Sequence, residues 1–79
     1  VFIFVEPSKG VDIGAREEIY QLMEALAEEG KIVIMVSSTM TELLSMSDRI
    51  GIMRMGKLVS IIEHEEATED LLLKLYITI

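Results

Sequence analysis

Residues 1–12 read VFIFVEPSKGVD, and the fold follows from how that stretch divides. Positions 1–5 carry no polar side chain. A run of that kind reads as a strand covered on both faces, as in the parallel sheets of α/β proteins, where crossover helices flank the sheet. Glu6 follows at once, and Pro7 denies the strand any further ladder donor. Ligands of such sheets collect beyond the carboxyl ends of the strands, so Glu6 stands where chemistry would be done.

After Asp12 the apolar period changes. Ala15, Ile19, Leu22, Met23 and Leu26 recur at three- and four-residue steps, with Arg16, Glu17, Glu18, Glu24 and Glu28 on the other face, which predicts an amphipathic helix. Asp12 is placed to cap it, and Gly30 to end it at a position where a positive φ is tolerated. Residues 31–36 (KIVIMV) form a second apolar, β-branched run. Strand, helix and strand therefore read as one right-handed parallel crossover.

Ser37, Ser38 and Thr39 close the second strand and supply a cap for a short helix at 40–46. Residues 49–54 and 57–62 then read as two strands around Met55-Gly56, a hairpin at the sheet edge whose alternation is imperfect. An acidic surface stretch at 63–66 surrounds His64, which has no second ligand at metal spacing and reads as a solvated side chain. Thr68 can cap a last helix at 69–76, with Leu71, Leu72 and Leu75 inward, while the terminal YITI could fray or pair as a strand. The six methionines sit among apolar neighbours and read as core filler.

With 79 residues, 51% of them hydrophobic, the chain is at most one small domain, a single unit over residues 1–79. Such a chain buries only about 60–65% of its unfolded surface, and two parallel strands with two or three helices shield little more than one sheet face. The expectation is a fragment of something larger or a homo-oligomer; the absence of an initiator methionine agrees with a fragment and equally with removal of a tag. A net charge of −7 opposes binding to a phosphate backbone, so no nucleic acid is expected as a partner. Zero cysteines exclude disulfides and thiolate metal sites and fit a reducing compartment. No apolar run reaches the ~20 residues that span a bilayer.

The run VFIFVEPSKGVDIGA resembles the Walker B strand, catalytic glutamate and D-loop of an ABC transporter ATPase domain, and its SKGVDIGA part resembles the sugar-importing branch. The likeness continues through MSDRI (46–50) and IMRMGKLV (52–59), and covers residues 1–70, all from the carboxyl-terminal part of such a domain. It implies a partial P-loop NTPase fold: a small mixed sheet with a parallel strand-helix-strand unit, then a hairpin and a C-terminal helix. The Walker A, Q-loop and signature segments of the family are not represented, and no G-x-x-x-x-G-K-[ST] phosphate cradle occurs.

By the same resemblance Glu6 is the residue that polarises the attacking water, and Asp12 the D-loop aspartate that faces a second ATPase domain. Ser38, in VSSTMTEL (36–43), stands where the family commonly has a switch-loop histidine contacting the γ-phosphate, and the second ATPase halves of sugar importers carry a similar serine pair. Val5 replaces the aspartate that holds the magnesium shell, and valine offers a hard cation no oxygen. The implied parent hydrolyses ATP with Mg2+ to drive sugar import, on the cytoplasmic side of the membrane and with permease subunits. This chain alone is expected to be inactive and to bind neither ATP nor Mg2+ tightly. The reading from another class is a non-catalytic, truncated or degenerate α/β module that associates with itself.

Overall fold

A computed structural model describes the backbone of residues 1–77 and the side chains of residues 1–75. The chain forms two compact units, one over Val1–Ser38 and the other from Thr39 onward.

The first unit is strand β1 (Phe2–Val5), helix α1 (Ile13–Glu28) and strand β2 (Val33–Val36). The strands pair in parallel, with Phe2 opposite Val33 and Val5 opposite Val36, which is the expected crossover. Helix α1 starts where the aspartate allows it. Asp12 is extended (φ −77°, ψ 173°) and its Oδ1 accepts the Ala15 amide at 2.8 Å. It ends in a Schellman closure: Gly30, at φ +85°, donates to the Ala27 carbonyl at 3.0 Å and Lys31 to Leu26 at 3.1 Å. That closure uses Lys31, so β2 begins at Val33 rather than at 31.

Cover in this unit follows one expectation and corrects another: a single sheet face is shielded, as expected of so short a chain, but not every in-period residue of α1 is buried. Phe4, Val33 and Met35 are half-buried on one face of the pair. The opposite face is open, with Ile3 at 64% and Val5 at 67% exposure, and Ile34 and Val36 exposed beside them. The apolar strands are therefore covered on one side only within this chain, because α1 is the unit's single helix and packs on β2. Leu22, although in period, is also exposed, whereas Met23 is buried. Two strands about 4.8 Å apart make a sheet scarcely wider than a helix, so only a narrow strip of α1 finds cover.

The second unit is helix α2 (Met40–Met46), strands β3 (Arg49–Arg54) and β4 (Lys57–Glu63), a 3-10 turn (His64–Glu66) and helix α3 (Glu69–Ile77). Strands β3 and β4 form an antiparallel hairpin around Met55 (φ +50°) and Gly56 (φ +79°). Positive φ at both central residues is the type I′ turn that matches strand twist. The register steps by one between Ile52 and Met53, leaving Val59 as the extra residue of a bulge. The imperfect alternation in the sequence has that origin. Ile50, Ile52, Ile62 and Leu72 make a buried core, with Leu43, Leu44, Leu71 and Leu75 packed against it. Thr68 Oγ1 accepts the Leu71 amide at 3.1 Å, as expected of the cap, and an Arg54 amino group donates to the Leu75 carbonyl.

The mixed α/β character is as expected, but the hairpin is not the edge of one mixed sheet. Among the described residues the parallel pair and the hairpin are separate two-stranded sheets. The hairpin satisfies its own ladder and buries its inner face on the helices of its unit, so it needs no strand of the first. Met53 and Met55 are exposed, against the expectation for the methionines, since the turn and the outer hairpin face leave them without cover. Helix α3 continues through Ile77, and the alternative of strand pairing at 78–79 lies outside the described residues.

Candidate functional site

Glu6 follows the last residue of β1, and its amide donates to the Val36 carbonyl at 2.6 Å, extending the parallel ladder by one bond. Its φ is +47°, in the left-handed region that a side chain with a β-carbon enters at a cost of about 1–2 kcal/mol. The conformation is imposed from both sides. The ladder bond fixes the amide, and the Glu6 carbonyl accepts from Lys9 at 3.1 Å, closing the turn that Pro7 starts. Strain of this kind persists where the surroundings over-determine it, and it gathers at functional sites.

The half-buried carboxylate of Glu6 meets the end of β2. Ser38 Oγ donates to Glu6 Oε2 at 3.3 Å, across 32 residues of sequence. The register explains the meeting: Val5 and Val36 are level, so the residues just beyond them emerge at the same sheet edge. Asp12 is engaged separately, its carboxylate on the Ala15 amide and its carbonyl on the Arg16 amide at 2.9 Å. Of the three candidate residues, two are thus in direct contact, and the third is held at the start of α1.

Val5 has no donor atom for a cation, and its side chain is exposed. The Glu6 carboxylate and the Ser38 hydroxyl meet at this edge. Among the described residues no three His, Cys, Asp or Glu side chains gather as a metal-holding group. His64 is exposed, as expected, with Nδ1 at 3.0 Å from the Ser47 carbonyl oxygen.

One charged residue escaped the sequence reading. Glu42 is only 3% exposed, and it is not without a partner. The available signal was Thr39-x-x-Glu42, the spacing of a capping box, and Thr39 does occupy the cap position of α2, though without a side-chain cap bond.

Among curated proteins the chain is 51% identical over 75 residues to the arabinose import ATP-binding protein AraG of Chromohalobacter salexigens, covering 95% of this chain and 15% of that protein. It is 51% identical over 74 residues to the galactose/methyl galactoside import ATP-binding protein MglA of Clostridium tetani, covering 94% and 15%. With the ribose import ATP-binding protein RbsA of Lactococcus lactis subsp. cremoris the identity is 47% over 75 residues, covering 95% and 15%. The chain thus spans about 15% of the length of the curated relatives it matches. No family model matches it. Among the described residues no helix is long and apolar enough to cross a membrane.

Proposed function

From its homology to a segment of the sugar-import ABC ATP-binding proteins, we propose that this chain is the part of such a domain from Walker B to the end of the catalytic core, a partial P-loop NTPase fold over residues 1–79. The parent reaction is ATP hydrolysis coupled to sugar import. The observation that supports this most is the contact between Glu6 and Ser38, because it brings the carboxylate and the switch-loop position to one sheet edge. There Glu6 is the group that orients a water and draws on its proton, work that requires position more than reactivity. Asp12 at the start of α1 is the residue that faces a second ATPase domain. ATP and Mg2+ belong to the parent. Val5 and the missing phosphate cradle leave this chain without the means to hold them, so alone it is inactive. Permease subunits and a place on the cytoplasmic face of the membrane follow from the same reading.

A second reading, a degenerate module that self-associates, rests on the open face of Ile3, Val5, Ile34 and Val36. Apolar faces of this kind are seldom left bare by monomers. Sedimentation equilibrium at micromolar concentration tests it: a homodimer or larger oligomer is expected, and a monomer refutes it. The DNA upstream of the Val1 codon separates the two readings. The first expects an in-frame glycine-rich phosphate loop there, and a start codon at that point would overturn it.

A further inference from the structure

We infer that Met55, with Met53 beside it in the same hairpin, is a site of reversible oxidation by hydroperoxides. The site belongs to the second unit and depends on neither reading of Glu6. The chain has six methionines and no cysteine, so the oxidation chemistry of sulfur can fall only on thioethers. Their surroundings differ widely. Met23 is 5% exposed, Met35, Met40 and Met46 are half-buried, Met53 is 57% exposed and Met55 95%.

The backbone also sets Met55 apart. It holds φ +50° at the first central position of the type I′ turn, where Asn, Asp or Gly is favoured, and its side chain gains no burial in return. Met53 stands opposite Leu58 near the end of the ladder, and both are exposed. In the reaction the thioether sulfur attacks one oxygen of the peroxide, and the O–O bond breaks as the S–O bond forms. The proton of the attacked hydroxyl passes to the departing oxygen, which leaves as water or an alcohol. Sulfur loses two electrons and the peroxide gains them. The departing oxygen has to be solvated as its charge develops, which favours a sulfur open to water and slows one that is buried. The product is a polar, chiral sulfoxide. At Met55 it disturbs no packing and the turn persists, whereas at Met53 it sets a polar group opposite Leu58.

The test is treatment of the full chain with dilute hydrogen peroxide at neutral pH, quenched with free methionine, followed by weighing of its proteolytic peptides for one added oxygen. Met55 is expected to oxidise roughly twentyfold faster than Met23, in the ratio of their exposures of 95% and 5%, with Met53 between them. In denaturant the six rates should converge. The two methionine sulfoxide reductases, one for each sulfoxide epimer, should then return Met55 and Met53 to their original mass. In Met55→Leu, Met53 should become the fastest site. The inference is overturned if Met23 or a half-buried methionine reacts as fast as Met55 in the folded chain, or if the same order persists in denaturant. It is equally overturned if another methionine leads in Met55→Leu, or if the sulfoxides resist both reductases.

Discussion

Replacing Asp12 separates its structural from its functional role. Its Oδ1 lies 2.8 Å from the Ala15 amide, a side-chain cap that typically contributes about 1 kcal/mol, within a range of about 0.5–2. The first turn of α1 contains no acidic residue, so Asp12 is also the negative charge nearest the helix N-terminus, and at an exposed position that adds about 0.3–1 kcal/mol. Asp12→Ala removes both contributions. Asp12→Asn keeps an equally good cap and removes only the charge. Because the chain has two units, a single melting midpoint would mix them, and the local assay is native-state hydrogen exchange at the Ala15 and Arg16 amides. Asp12→Ala should speed exchange there by roughly 5- to 30-fold, the equivalent of one to two kcal/mol. Asp12→Asn should speed it by about two- to five-fold, with the difference from wild type shrinking in high salt as the charge is screened. If Asp12→Ala leaves these rates unchanged, the cap contributes nothing. If Asn is as damaging as Ala, the charge and not the cap carries the effect, and the reasoning from geometry fails.

Leu72, 2% exposed in the core of the second unit, should cost about 2–5 kcal/mol as Leu72→Ala, read by denaturant titration of the Ile50, Ile52 and Ile62 methyl resonances, and a loss below about 1 kcal/mol would mean the core is not where the structure places it. Met55 is 95% exposed at φ +50°, so Met55→Asn creates the Asn-Gly turn without losing packing and should protect the hairpin amides by about 0.5–1 kcal/mol; faster exchange would refute the type I′ assignment. Calorimetric titration of the full chain with Mg-ATP should give a dissociation constant no better than roughly millimolar. A micromolar value would require a phosphate site that Val5 and the absent cradle do not supply.

Much of this protein was legible because it is encoded locally. The capping aspartate, the glycine that closes α1, the threonine before α3 and the glycine of the hairpin turn each act within a few residues of themselves, so their types and spacings were enough. The same holds for Leu71, Leu72 and Leu75, whose helical spacing put them on the inward side. Glu6 could be singled out from the residues around it, since it ends an apolar run, whereas Ser38 was distinguished from Ser37 and Thr39 only by the resemblance of residues 36–43 to a switch loop.

What the sequence could not contain is the outcome of competition for cover. Leu22 and Met23 are both apolar and adjacent in α1, yet one is exposed and the other buried, because a two-stranded sheet offers a helix only a narrow strip. Residue types left open whether the hairpin would extend the parallel pair or form its own sheet; among the described residues it forms its own, with its inner isoleucines packed on α2 and α3. The bulge at Val59, the left-handed backbone of Glu6 and the contact of Ser38 with Glu6 also belong to the tertiary structure. Each arises where segments distant in sequence must satisfy one another's hydrogen bonds at fixed spacing, and residue types alone do not specify that geometry.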